Sequence, residues 1–180
     1  MAFVKKFYTS DTHFLHERLL GMQPRPFETI EEHDDTIIDR WNAVVGDADH
    51  VYHLGDFAFG LAKHAERVRE IFDRLNGRKY LIIGNHDVNK RGDLHPALAD
   101  LDWAARPEHG LRTKDGGRDL WLSHYAARTW PSSGYGAIHF YGHSHGKLSG
   151  VGRSRDVGVD MPDVDFTPRT FAELTKGMVE

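Results

Sequence analysis

Apolar positions recur along the chain with two different periods, and the switches between them mark its elements. Phe3 to Thr9 mixes aromatic and β-branched residues with Lys5 and Lys6 and leads into Ser10-Asp11-Thr12-His13, the pattern of a strand ending in a polar loop. From Ile30 the residues Ile37, Ile38, Trp41, Val44 and Val45 keep a helical period. Thr29 and Glu32 have capping-box spacing at its start, and Gly46 follows its end. Asp49 to Leu54 reads as a short strand running into Gly55-Asp56. The next helix places Ala65, Val68, Ile71, Phe72 and Leu75 on one face before Asn76-Gly77 closes it. Tyr80 to Ile83 reads as a buried strand ending in Gly84-Asn85-His86-Asp87. The order is strand, helix, strand, helix, strand, with a polar cluster at each strand's C-terminal end, where α/β sheets carry their ligand sites.

Beyond residue 108 the pattern changes. His109 to Thr113 and Arg118 to Leu122 form a predicted hairpin across Lys114-Asp115-Gly116-Gly117. Ala137 to Tyr141 and Asp156 to Val159 are further predicted strands between glycine-rich turns. A second sheet packed on the first is expected, with a final helix starting near Thr167-Pro168 and turning Phe171 and Leu174 inward. With 180 residues, 39% hydrophobic and 11% aromatic, the chain has material for one packed core, and a single domain over 1–180 is expected.

Charge and composition narrow the function classes. Lys and Arg total 23 against 27 Asp and Glu, a formal charge of -4, so no bulk attraction to nucleic acid or anionic membrane is expected. The chain has no cysteine, which removes disulfides, thiolate nucleophiles and Cys-type zinc sites; any metal must be held by nitrogen and oxygen. No run approaches the ~20 apolar residues of a membrane span, and the expectation is a soluble, cytoplasmic protein without a membrane partner. The composition stands out in its thirteen histidines.

Several of these stand in motifs. Asp11-x-His13 and Gly55-Asp56 are individually ordinary loop sequences. Gly84-Asn85-His86-Asp87 is more specific, because a strand end that offers amide, imidazole and carboxylate together rarely serves packing. In His143-Ser144-His145, strand alternation points both rings to one side, where they can grip one metal or two neighbouring ones.

Taken in this order, and with His124 between them, the motifs resemble the signature of calcineurin-like metallophosphoesterases, in particular small single-domain enzymes of bacterial or phage type. The resemblance runs from residue 11 to residue 145. It implies an α/β fold of two packed mixed β-sheets flanked by helices, in a four-layer αββα arrangement, with the site at the sheet ends. It also implies two divalent metal ions, one held by Asp11, His13, Asp56 and His145 and the other by Asp56, Asn85, His124 and His143. Asp56 would bridge them, His86 would stand near the leaving group, and Asp87 would orient the His86 ring.

Imidazole and carboxylate suit Mn, Fe, Zn, Co or Ni, with Mn the first expectation, and a bridging carboxylate suits two ions ~3.5–4 Å apart. Two divalent ions, two aspartates and a bridging hydroxide leave a net charge of about +1, which attracts a phosphate ester and slightly favours a diester. The expected reaction is in-line attack of the metal-bridging hydroxide on a small phosphate ester, nucleotides included, with His86 protonating the departing alkoxide. A role for His86 in orienting ligands stays open beside this one.

Two other readings accompany the phosphodiesterase: a non-catalytic scaffold with this fold, and a nuclease of the DNA-repair branch. The complete ligand set and His86 speak against the first, the acidic balance and short chain against the second. The residues after Asp56, Phe57-Ala58-Phe59-Gly60, lack the acidic residue that many family members carry three positions on, and no Asp-Arg-Gly follows there, which disfavours a phosphoprotein substrate. Oligomeric state is not legible. Arg128 in Tyr125 to Trp130 is either a phosphate partner or part of an exposed loop; Ser132 to Gly136 is a flap or a set of turns. Asp156 and Asp160 either hydrogen-bond a ligand histidine or solvate a strand end. Histidines 16, 33, 50, 53, 64, 95, 109 and 139 lack a motif, although His53 and His139 could support ligands from their strands.

Overall fold

A computed structural model describes residues 3–178. Eight strands and five helices follow in the order β1 (Lys6–Thr9), α1 (Leu19–Met22), α2 (Ile30–Val44), β2 (His50–His53), α3 (Ala65–Arg74), β3 (Arg78–Leu81), α4 (Pro96–Ala99), β4 (Gly110–Asp115), β5 (Arg118–Ser123), β6 (Ile138–Tyr141), β7 (Ser154–Asp156), β8 (Arg169–Thr170) and α5 (Phe171–Leu174). They build two four-stranded mixed sheets among the described residues, in strand order β3-β2-β1-β8 and β4-β5-β6-β7. The first three strands are parallel and β8 pairs antiparallel to β1. In the second sheet β4 and β5 form the antiparallel hairpin, and β5, β6 and β7 are parallel.

Strand alternation sends each sheet's residues to two cores. Phe7, Val51 and Leu81 face α2 and α3, packing with Ile37, Ile38, Trp41, Val68, Ile71 and Phe72. Their neighbours Tyr8, Tyr52 and Ile82 turn the other way and meet Leu120, Leu122, Ile138 and Phe140 of the second sheet. Tyr8 closes edge-on against Phe140 at 5.1 Å between ring centroids. The far side of β6 is covered by the segment after β5: His139 Nε2 accepts from Ala127 N–H, and the Trp130 ring lies 5.4 Å from that of His139. That segment contains one turn of 3-10 helix, Ser133–Tyr135, in the stretch read as a flap or turns.

Several boundaries move for physical reasons. The first strand loses Phe3 and Val4, which are exposed and outside the ladder. Helix α2 is capped by Thr29, whose hydroxyl accepts from Glu32 N–H, but the Glu32 carboxylate takes Glu28 N–H instead of closing the box on Thr29. Ala65 opens α3 on its exposed side and is not on the buried face. The hairpin turn is Gly116-Gly117 alone, both with positive φ (52° and 75°), so the strands extend through Lys114 and Asp115. The last helix does not begin at Thr167-Pro168. Arg169 and Thr170 first pair with Tyr8 and Phe7, and a capping box on Thr170 and Glu173 then starts α5, with Leu174 buried and Phe171 half-buried. The strand expected over Asp156 to Val159 lies earlier, and its tail instead bridges Gly158 to Ser10, joining the two sheets at the end where the motifs gather. No helix among the described residues is long and apolar enough to cross a membrane.

Candidate metal centre

Every motif leaves a parallel strand at its C-terminal end, and the turns there are tight. Asp11, His13, Asp56, His143 and His145 have positive φ (58°, 50°, 58°, 65° and 48°). Each non-glycine residue so held costs on the order of 1–3 kcal/mol and persists where its surroundings fix it. The turns are also pressed together. A Cβ on Gly84 would run into the Asp56 carboxylate and backbone, and one on Gly142 into Ser10 Oγ and the Asp11 carboxylate. Glycine at these two positions lets two loops approach as closely as they do.

The seven side chains expected to bind metal converge. One ligand atom each of Asp11, His13 and His145 lies within 4.8 Å of the others, and the same holds for Asp56, His124 and His143. Asp56 Oδ2 is central to both, 3.5 Å from His13 Nε2 and 3.4 Å from His124 Nε2. Asn85 Oδ1 is 3.0 Å from His124 Nε2 and accepts from Tyr125 OH at 3.4 Å. His86 also reaches this centre, with Nε2 4.0 Å from Asp56 Oδ2 and a half-exposed side chain. It forms a third close group with His13 and Asp56.

Hydrogen bonds fix how these rings present their lone pairs. His124 Nδ1 donates to Leu54 O at 2.7 Å, which aims Nε2 at Asp56. His145 Nδ1 donates to Asp160 Oδ2 at 2.6 Å, leaving its Nε2 for the site. His13 Nε2 is buried and has no hydrogen-bond partner. An orphaned buried nitrogen is costly unless something else takes its lone pair.

The electrostatics agree. Burial lifts the Asp11 carboxyl to about 7 and drives the His13 ring down to about 2. Burial also opposes charge on Asp56 and His124. Their mutual hydrogen bond outweighs it, holding Asp56 well below the usual carboxylate range and, with the negative charges of Asp56 and Asp11, raising His124 to about 9. Carboxylate, imidazole and amide donors of this kind fit divalent metal binding.

The residues behind the cluster divide into those foreseen and those missed. Asp87 does not orient His86: its buried carboxylate accepts from the N–H groups of Gly84, Asp56 and Phe57 at 2.7–2.9 Å, clamping the second and third loops to each other. Three backbone donors within reach compete better for a buried carboxylate than a half-exposed ring. Of the two aspartates left open, Asp160 bonds the His145 ring, while Asp156 braces Gly146 and Gly158 N–H.

Arg25 was missed. It is buried, grips Asp160 with two hydrogen bonds of 2.8 Å, donates to the carbonyls of Asp11 and Thr12, and is backed by His33, which bonds Asp34. No spacing signal marks it. His16 likewise stands in no motif. Its Nδ1 lies 3.4 Å from His13 Nδ1 and its ring stacks on Phe59 at 3.8 Å, a contact that the three-residue spacing from His13 could have suggested. His53 and His139 do support the loops: His53 bonds Thr12 Oγ1 and accepts from Gly55 N–H, and His139 bonds Trp121 O and Ala127 N–H.

Comparison with known proteins gives the chain its relatives. No family model matches it. It is 33% identical over 163 residues to the Gene 66 protein of Mycobacterium phage L5, covering 78% of this chain and 77% of that one. It is 44% identical over 87 residues to an uncharacterised protein of Methanocaldococcus jannaschii, a match spanning about half of each (48% and 49%). Among solved structures, a protein of unknown function from Aquifex aeolicus superposes with a TM-score of 0.74 over 97% of this chain and 99% of that one at 22% identity. An archaeal phosphodiesterase does so with a TM-score of 0.50 over 86% and 82% at 20% identity. Its identity to the phage protein over most of both chains places the two in one family, and its two mixed sheets, with the superposition on the archaeal phosphodiesterase, give the chain the α/β metallophosphoesterase fold.

Proposed function

We propose that the chain is a metal-dependent phosphohydrolase that cleaves small phosphate esters, diesters ahead of monoesters, at a centre of two divalent cations within one domain. The observation that carries this reading is the placement of Asp56 Oδ2 between the histidines of both clusters, beside the orphaned His13 Nε2. In this reading Asp11, His13, Asp56 and His145 hold one ion, Asp56, Asn85, His124 and His143 hold the other, and Asp56 is shared.

Bound there, the ions supply Lewis acidity that lowers the pKa of water and draws charge from the phosphoryl oxygens. The rest is the work of the chain. Asp87 keeps the Asp56 and Asn85 loops in register, and Asp160 keeps the His145 ring turned to the site. His86, on the open side, donates its Nε2 proton to the alkoxide as the P–O bond to the alcohol breaks and the bond from water forms. The proposed cellular metal is Mn, with Fe, Zn, Co or Ni as alternatives, and the proposed setting is the cytoplasm.

Metal-stripped protein reconstituted with each ion in turn and assayed on bis(p-nitrophenyl) phosphate, p-nitrophenyl phosphate, cyclic nucleotides and single-stranded DNA tests this. The diester should turn over fastest, and His86→Ala should lower kcat by about 10²–10⁴ with metal content retained. Absence of turnover with every ion would leave a scaffold; cleavage of DNA alone would make the chain a nuclease.

A further inference from the structure

On the His86 side of the centre, the loop after Asp56 and the loop after Asn85 border an open, solvent-facing depression of about 420 Å3. That is the size of cavities that take small organic ligands, and far more than the ~30 Å3 that one water occupies. Its walls include Phe59, Lys63, Asn89, Lys90 and His95, together with Asn85 and His86.

The free hydrogen-bonding capacity of those side chains is one-sided. Asn89 Oδ1 accepts from the N–H groups of Arg91 and Asp93, leaving the amide NH2. His95 Nδ1 accepts from Ala97 N–H, which puts the proton of the neutral ring on Nε2. Asn85 Oδ1 is taken by His124 and Tyr125. The ammonium groups of Lys63 and Lys90 form no ion pair among the described residues, and no aspartate or glutamate lines the depression. Several donors and two cations without an opposing carboxylate select an anion. One face of Phe59 is occupied by the His16 ring, while the residue keeps 37% of its surface exposed, so an apolar body can rest on its remaining surface.

The depression adjoins the histidine that would protonate the departing alkoxide. The geometry points to a leaving-group subsite for phosphate esters whose departing alcohol carries a phosphate of its own. This rests on the phosphohydrolase reading and narrows its substrate class. Lys63 and Lys90 bind the second phosphate, and Phe59 carries the body between the two phosphates. Chemistry at the scissile phosphorus is unchanged.

Two measurements test it. In the first, the metal-loaded enzyme is given the dinucleotides dTpdT, pdTpdT and dTpdTp. A terminal phosphate on the departing nucleoside should raise kcat/KM about tenfold, in line with a charge-assisted contact. The double variant Lys63→Gln/Lys90→Gln should bring that preference close to one. Equal rates for the three dinucleotides, or a preference that survives in the double variant, would overturn the subsite while leaving the phosphohydrolase intact.

In the second, amide resonances of zinc-loaded protein are followed during titration with dTMP and with thymidine. Only dTMP should shift residues 59–63 and 88–95, and the double variant should lose the response. No shift there overturns the subsite irrespective of activity. The shift without turnover of any dinucleotide keeps the anion site and counts against the phosphohydrolase.

Discussion

Asp160 and Arg25 stand behind His145, a proposed metal ligand, and fix its ring. The Arg25 side chain has no exposed surface, and its guanidinium is matched by the Asp160 carboxylate, the Asp11 and Thr12 carbonyls and His33. Burial opposes charge on Asp160, but its bonds with His145 and Arg25 hold the carboxyl well below the usual carboxylate range. Asp160→Asn keeps the shape and removes the charge. It should weaken metal binding by about 10–100-fold, as loss of a carboxylate behind a ligand histidine does. It should also cost about 3–5 kcal/mol by leaving Arg25 buried beside a neutral group. Equilibrium dialysis and urea unfolding read the two effects; unchanged metal affinity would show that His145 needs no such support.

His53 gives a second residue-scale expectation, this time in pH. Burial lowers its pKa to about 3 from an ordinary 6.5, so the folded ring stays neutral where the unfolded one takes a proton. Its contribution is fully present above pH 6.5 and is lost progressively as pH falls from 6.5 towards 3. In that window His53→Gln should reduce by one the protons taken up on unfolding, read from the slope of unfolding free energy against pH. An unaltered slope would mean that the ring is not held neutral by the fold.

At the scale of elements, the site depends on loops that leave strands and come into contact. Gly142 has ordinary φ, so only space demands glycine there, and the space is taken by Ser10 Oγ and the Asp11 carboxylate. Gly142→Ala should cost about 1–3 kcal/mol by overpacking and displace Asp11. Gly134→Ala, with nothing within 4 Å, should stay within about 0.5 kcal/mol. Equal effects in thermal unfolding would mean that the loops do not approach as described.

Elements with a repeating pattern were legible in the sequence. Short aromatic, β-branched and apolar runs at β1, β2 and β3 and the 3.6 period of α2 and α3 placed three strands of the first sheet and its helices to within a few residues. The one-turn helices α1 and α4 and the two-residue β8 carry too few positions to show a period. The convergent histidines and aspartates were legible because their motifs, each after a predicted strand, together resemble the signature of a known family. Arg25 was not, because its carboxylate partner lies 135 residues away and nothing local marks a buried cation. Asp87 was legible as part of the site but not in its role, which depends on which backbone N–H groups the loops bring to it.

At the scale of the whole molecule, neither sheet carries the proposed centre alone. Asp11, His13, Asp56 and Asn85 follow strands of the first sheet; His124, His143 and His145 follow strands of the second. The shared core of Tyr8, Tyr52, Ile82, Leu120, Leu122 and Phe140 sets the sheets face to face, and the Ser10–Gly158 bridge joins their ends. The central claim is that this packing brings the two sets of side chains around one pair of ions. Anomalous X-ray scattering from crystals grown with Mn measures it directly. The account predicts two peaks ~3.5–4 Å apart on either side of Asp56 Oδ2, one touching Asp11, His13 and His145 and the other Asn85, His124 and His143. No peak, or peaks that leave Asp56 untouched, would contradict it.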